Sequence, residues 1–363
     1  MRVLHVLNEL RPSGAETMLR LAGPIWNSAG YQCDILSTGQ DVGPYAEALR
    51  SAGYQVHHLA ARKNPAYFVE FANLVRRGGY DVVHQHAEGM RYWFCLAALA
   101  VGAKVAATVH SNFSFDGSLR WRRAWQRRHL QRLGVAFIAI APGVRANEAR
   151  RFGIESRLVW NWFDSEKFRP VTSEERMLAR RSFGLSDHDK VVVSLGNCSE
   201  VKNHAALLGA LTHMPGVKYL HVGQEDHQCS EQRLAKEVGL SSRVHFLGWL
   251  DDPRTALAAS DVYVMPSLFE GLGVAALEAI GSGLPCVLSR APGLVDLASL
   301  GLTLEYADAT PEALAKVITT VLDRGGFESG AADANAQMVI KRLSPAEGGA
   351  AYAKIWSDLA CSS

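Results

Sequence analysis

What this 363-residue chain lacks narrows the field first. Its six cysteines, Cys33, Cys95, Cys198, Cys229, Cys286 and Cys361, include no closely spaced pair. That excludes the usual spacing of a zinc site or a redox motif and points to reduced, mostly buried thiols in a cytoplasmic protein. The opening MRVLHVLNEL runs straight into alternating apolar residues, without the charged start, long apolar stretch and cleavage site of an export signal, so none is expected. The longest apolar run, residues 92–109, contains Gly102 and Lys104; it divides into a helix and a strand and does not read as a membrane span. There is no short repeat and no low-complexity tail. Charge of one sign is also missing overall, since the net charge is only +2, but cutting the chain near residue 170 separates 22 Lys and Arg against 13 Asp and Glu from 16 against 23. A basic half and an acidic half imply two domains with different partners.

What is present is a rhythm. A hydrophobic fraction of 48% over this length supports two buried cores. The strand-like runs RVLHVL, QCDILS, DVVHQ, KVAATV and AFIAIA alternate with helical stretches, and after a turn-rich segment from about 164 to 190 the series restarts with KVVVSLG, VKYLHVG, RVHFLG, DVYVMPS, LPCVLS and GLTLEY. Alternation of this kind builds βαβ units and parallel sheets. The expected class is therefore α/β, with two facing Rossmann-like, doubly wound domains over residues 1–172 and 187–345. The remaining residues, 346–363, read as a helix whose Tyr352, Ile355, Trp356 and Leu359 share an apolar face, able to pack on either domain. In such folds the ligand lies at the carboxyl ends of the strands.

The stretch EGLGVAALE, residues 270–278, places Glu270 and Glu278 around a glycine-broken turn that leads into a helix. Free N–H groups at Gly271, Leu272, Gly273 and Val274, with the helix dipole, would make an anion site that suits a diphosphate. Eight residues of helix rise span about 12 Å, comparable to a nucleoside diphosphate stretched between its ribose and its attached group. From spacing alone, the two acids read equally well as a dipole-favoured acid and a solvated helix residue.

The block ASDVYVMPSLFEGLGVAALEAIGSGLPCVLS resembles the signature of retaining glycosyltransferases of family 4, which have the GT-B fold and a Glu-x7-Glu motif. PSGAETMLRLA is similar to that family's first glycine loop, whose Gly14 would approach the donor phosphates. DVVHQHAEG and ATVHSNF resemble its histidine-bearing strand ends, SLGNCSEVKNH its glycine-arginine…lysine loop, WNWFDSEKFRP its interdomain segment, and RVHFLGWLDD, with Gly248, the strand beside the nucleotide base. Within the family, the likeness is to enzymes of bacterial exopolysaccharide and capsule assembly. Two departures stand out: Asn197 occupies the position of the usual arginine, and Trp162 that of the usual glycine, where it would narrow the crevice or pack against the linker.

The resemblance implies transfer of a sugar from a nucleotide diphosphate, with uridine donors favoured and the anomeric configuration retained. Glu270 and His110 would lie by the reacting sugar. Lys202, Asn197, Gly14, Gly248, Glu278 and the 271–274 backbone would hold the donor, and His84 or His86 would serve the acceptor. No cofactor or metal is implied, and Asp187-His188-Asp189 sits in a turn where capping explains it. SLRWRRAWQRRHLQRLG, residues 118–134, puts Trp121, Trp125, Arg128 and Arg132 on one helical side and Leu119, Leu130 and Leu133 on nearly the opposite one. The leucines would dock, leaving the Trp–Arg side to an anionic membrane surface or a lipid-linked acceptor. The partners expected are a nucleotide-sugar and a glycan acceptor, with no nucleic acid. The alternatives are a same-fold enzyme acting on a small soluble acceptor and a nucleotide-sugar-binding protein without turnover.

Overall fold

The computed structural model describes residues 1–330 and 332–361. They form two units, one from Met1–Phe163 with the chain from Leu343 onward, the other Asp164–Arg342. In the first, β1 (Arg2–Leu7), α1 (Gly14–Ser28), β2 (Gln32–Ser37), α2 (Ala46–Ser51), β3 (Gln55–His58), α3 (Pro65–Gly78), β4 (Val82–Gln85), α4 (Arg91–Ala100), β5 (Lys104–Val109), α5 (Gly117–Arg132), β6 (Ala136–Ala139), α6 (Pro142–Asn147) and β7 (Arg157–Leu158) alternate as expected. All strands pair in parallel, in the order β3-β2-β1-β4-β5-β6-β7.

The second unit opens with α7 (Ser173–Ser182) and continues β8 (Lys190–Leu195), α8 (His204–Thr212), β9 (Val217–Val222), α9 (Ser230–Glu237), β10 (Val244–Phe246), α10 (Arg254–Ala259), β11 (Val262–Met265), α11 (Val274–Gly281), β12 (Cys286–Ser289), β13 (Glu305–Ala307), α12 (Pro311–Asp323) and α13 (Asp333–Arg342). Its parallel sheet runs β10-β9-β8-β11-β12-β13. Near-continuous burial along β4, β8, β11 and β12 is what helices on both faces of a parallel sheet require.

The boundary expected at 172 falls instead at 163. The turn-rich stretch belongs to the second unit because its polar groups find partners there: Lys167 pairs with Asp252 at 3.0 Å, the Val171 N–H donates to Ser282 O at 3.0 Å, and Arg169 pairs with Glu175 at 2.8 Å. A Thr172–Glu175 capping box starts α7, satisfying two otherwise orphaned N–H groups.

The last helix, α14 (Pro345–Cys361), joins the first unit. Tyr352, Ile355, Trp356 and Leu359 are all buried, in one core with Met18, Leu19 and Trp26 of α1. Trp26 Nε1 donates to Gly349 O at 2.9 Å, and Trp356 Nε1 to His84 Nδ1 at 3.2 Å. Trp162 does not narrow any crevice: it is fully buried in this core, with Nε1 donating to Met18 O at 3.0 Å. Its ring fits because residue 348 is glycine, where a Cβ would come within 1.9 Å of Trp162 Cε3.

Candidate functional site

In each sheet the strand order reverses at one place, and in open α/β sheets ligands collect outside the carboxyl ends of the strands at that point. In the second unit the reversal lies between β8 and β11, which pair directly. The loop after β8 carries Lys202 and the loop after β11 carries Glu270, and the two side chains meet there: Lys202 Nζ donates to Glu270 Oε1 at 2.7 Å. Ser267 Oγ donates to the same oxygen at 2.8 Å. The loops are also joined through their backbones, the Leu268 N–H donating to Val201 O at 2.8 Å and Asn203 Nδ2 to Pro266 O at 3.2 Å.

Helix α11 starts at Val274, so Glu270 lies in the loop and Gly273 is the N-cap with φ 77°. Only glycine suits this cap: the left-handed backbone disfavours a side chain, and a Cβ would meet Leu294 Cδ2 at 2.6 Å. The N–H groups of Gly273 and Val274 at this helix start have no intrahelical acceptors, and they follow directly on the loop that carries Glu270. Glu278, one turn into α11, is pushed up to about 7 by burial, with Lys167 lowering and Asp164 raising it. Its carboxyl can both donate and accept near neutrality.

Asn197 and Gly248 lie at the same edge of the sheet. Asn197 Oδ1 accepts from the Gln224 N–H at 2.9 Å, so this side chain pins the loop after β9. Gly248, with φ 64°, accepts from the Gly223 N–H at 2.9 Å. Of Asp187 and Asp189, the second is taken up locally: it accepts from the Ser186 N–H at 2.7 Å and pairs with Lys218 at 2.8 Å.

In the first unit the reversal lies between β1 and β4. Gly14 opens α1 just beyond it, with Ser13 capping the Ala15 N–H at 3.3 Å. His5 and His84 face each other in register across β1 and β4. His5 Nδ1 lies 3.0 Å from His86 Nε2, and His86 Nδ1 lies 3.1 Å from His110 Nε2. His110 is half-buried and ends this chain of rings. Burial pushes all four imidazoles below their ordinary value, His5 to about 3. His84 does not serve an acceptor. It is fully buried, its nitrogens 2.8 Å from Thr108 Oγ1 and 3.2 Å from Trp356 Nε1, because α14 covers it.

On α5, Trp121 is 68% and Trp125 58% exposed, and Arg128 and Arg132 are exposed with them. The docking side differs from the leucine stripe. Leu133 caps the helix and is 45% exposed, Leu119 is half-buried, and the inward positions are Ala124, Arg127 and Leu130. Arg127 turns inward to meet Glu148 at 2.8 Å and Glu88 at 3.1 Å, over the Phe152 ring. The sequence also missed Trp93, 52% exposed on α4, which with Tyr92 and Trp125 extends the aromatic surface of α5. Two buried groups of metal-ligand side chains went unseen as well: His5, His84 and His86, and Cys198, His204, His221 and Glu231. Apart from His84 and His86 at the end of β4, their members come from separate elements, so no sequence spacing announces the groups. In the first group both nitrogens of His84 already have protein partners.

Residues 12–167 match the family described as Glycosyltransferase Family 4, and residues 175–337 that described as Glycosyl transferases group 1. The glycosyltransferase EpsF of Bacillus subtilis is 30% identical over 328 residues, spanning 85% of this chain and 84% of its own. The UDP-Gal:alpha-D-GlcNAc-diphosphoundecaprenol alpha-1,3-galactosyltransferase of Escherichia coli is 26% identical, over 65% of this chain and 64% of its own. Among solved structures, Anabaena HepE, in complexes with UDP and with UDP-glucose, superimposes with a TM-score of 0.83 at 19% identity, over 99% of this chain and 100% of that one.

Proposed function

Because this chain belongs to the group 1 and family 4 glycosyltransferases and has their GT-B fold, we propose that it moves one sugar from a nucleotide diphosphate, a UDP-sugar favoured, to a lipid-linked or growing bacterial surface glycan, with retention. The nucleotide is supported by the UDP and UDP-glucose complexes of HepE, and the acceptor by the diphosphoundecaprenol-linked substrate in the name of the Escherichia coli relative. The observation that carries the reading is the Lys202–Glu270–Ser267 cluster beside the opening of α11, at the reversal of the sheet.

An arriving diphosphate competes with Glu270 for the Lys202 ammonium and gains the α11 N–H donors, a preformed electrostatic site for the charge that builds on the leaving group. Glu270, still held by Ser267, is then released toward the sugar, where its carboxylate stabilises positive charge on the ring. The C1–O bond to the diphosphate breaks, the bond to the acceptor oxygen forms on the same face, and the acceptor proton passes to the departing diphosphate. Glu278 receives the ribose hydroxyls. Gly14 and Gly248 bring backbone close to the donor. His110, neutral and hydrogen-bonded to His86, offers an uncharged partner to the sugar. Asn197 orders the donor loop through Gln224 and supplies no cation, which leaves Lys202 as that loop's positive charge. In this reading the transfer needs no metal ion.

The exposed Trp93, Trp121 and Trp125 with Arg128 and Arg132 suit a peripheral contact with an anionic membrane carrying the acceptor. Nucleotide release from a panel of nucleotide-sugars, with a lipid diphosphate acceptor, tests the whole reading. Release from one donor is expected; binding of a donor without release would replace transfer by the binding-only alternative that Asn197 raises.

A further inference from the structure

Cys198, His204, His221 and Glu231 come from four places in the second unit: the loop after β8, the first residue of α8, β9, and α9. All four are buried, and one ligand atom from each lies within 4.8 Å of the others. Cys198 Sγ is 3.0 Å from Glu231 Oε2 and 3.7 Å from His221 Nε2. His204 Nδ1 is 3.2 Å from the Glu231 carboxylate, and His221 Nε2 is 3.9 Å from Glu231 Oε2. A tetrahedron built on zinc bond lengths of about 2.0–2.3 Å has edges of roughly 3.3–3.6 Å. These separations bracket that range.

Hydrogen bonding within the cluster leaves groups over. His221 Nδ1 is buried without a partner, and the buried carboxylate oxygens of Glu225, three residues after β9, face only the Cys198 thiol. Among the described residues neither Glu225 nor Glu231 pairs with a lysine or arginine. Buried polar groups are normally satisfied, and buried carboxylates are normally paired or bound to a metal.

We propose that Cys198, His204, His221 and Glu231 bind one divalent transition-metal ion of the zinc class as a closed structural site, with Glu225 close outside it. One sulfur, two nitrogens and one oxygen suit a borderline ion of this class, whereas magnesium and calcium take oxygen. Binding takes the proton from the Cys198 thiol, and thiolate plus carboxylate then balance the two positive charges. Without the ion His221 Nε2–H donates to Gly196 O at 3.1 Å; on binding, the ring proton moves to Nδ1 and the Nε2 lone pair goes to the ion. Four protein ligands leave no open position, so the ion binds no substrate and stands apart from the proposed transfer. Its mechanical effect falls on the donor loop: Cys198 lies four residues before Lys202, and metal binding replaces the hydrogen bond from His221 Nε2 to Gly196 O.

The test uses the full chain purified without a histidine tag and dialysed against metal-free buffer. Elemental analysis is expected to find about one zinc per chain, and chelator-stripped protein to regain its melting temperature on adding Zn²⁺. Stripped protein loaded with Co²⁺ is expected to show tetrahedral ligand-field bands and a thiolate charge-transfer band. Cys198→Ser should lose the charge-transfer band, while Cys286→Ala, which removes a buried thiol outside the cluster, should keep it. If Cys198→Ser fails to fold, the stripped wild-type chain decides alone. Binding of both Zn²⁺ and Co²⁺ weaker than about 1 μM, or an unchanged Co²⁺ spectrum in Cys198→Ser, overturns the site. None of these readouts depends on sugar transfer.

Discussion

The two sheets share one topology, yet their reversal points are chemically opposite. Between β1 and β4 the first unit gathers His5, His84 and His86, stacked among Trp26, Tyr352 and Trp356 and kept neutral by burial. Between β8 and β11 the second unit keeps a charged pair, Lys202 and Glu270, next to helix N–H donors. A site for a diphosphate gains by having its charges in place beforehand, because nothing then has to reorganise as the leaving group develops. A site for sugar hydroxyls gains from neutral donors and acceptors instead. Under the proposed function the charged reversal point takes the donor, and the first unit's buried rings act on a sugar only through half-buried His110; perturbing each in turn should give different kinds of loss.

The largest effect should come from the first unit, and it should be structural. Trp162→Gly, which restores the residue usual in the family, empties a fully buried site between α1 and α14. A loss of about 3–5 kcal/mol in unfolding free energy is expected, read from denaturant midpoints. A loss below about 1 kcal/mol would mean that Trp162 is not part of the core.

The matching change in the second unit should cost catalysis and leave folding intact. Glu270→Gln keeps the shape of the side chain but removes the carboxylate that Lys202 and Ser267 hold. A fall in kcat/KM of roughly 10²–10³-fold is expected from losing one preorganised electrostatic partner, with an unchanged melting temperature. Full activity in this variant would break the assignment of the charged reversal point to the donor.

These contrasts mark how far the sequence could be read. Alternating apolar runs located five of the seven strands of the first sheet, missing the short β3 and β7, and all six of the second, and helical spacing identified the buried face of α14, because periodicity records which side of an element is apolar. The Glu270-to-Glu278 block stood out because loop, helix start and both acids are contiguous. Periodicity does not say what covers an apolar face. Trp162 therefore looked like a departure at a crevice until Gly348 of α14 was found against its ring. Nothing in the basic run marks Arg127 as a buried position, although Glu88 and Glu148, 39 and 21 residues away, draw it inward. The histidine and cysteine clusters were illegible for the same reason: each draws its members from several elements.

Acid should separate the two units further. His5 has its pKa depressed in the folded state to about 3 by burial. An unfolded histidine takes up a proton near pH 6.5, so the unfolded chain binds more protons below that pH and stability falls as pH falls toward 3. At pH 5 this amounts to about 2 kcal/mol from His5. Hydrogen exchange should show β1 and β4 losing more protection between pH 6.5 and 5 than β8 and β11, because burial depresses four histidines in the first unit and His221 in the second. His5→Leu should flatten that dependence, and an equally steep one in the variant would remove His5 as its source.

Glu278 supplies the opposite slope, and a smaller one. Its folded pKa is raised to about 7 by burial, so the folded state binds more protons than the unfolded chain between the ordinary glutamate value and 7. Stability is therefore lost as pH rises through that window, the reverse of the histidine case. Glu278→Gln removes the term: the variant should exceed the wild type by about 1–2 kcal/mol at pH 8, after allowing for screening of a partly exposed carboxyl, and match it below about pH 4.5. Melting curves of the donor-free protein across this range measure the difference. Equal stability at pH 8 would mean that the Glu278 carboxylate is solvated. A proton shared between Glu278 and the ribose hydroxyls would then drop out of the proposed reading, leaving the Lys202–Glu270 ion pair as the charged part of the donor site.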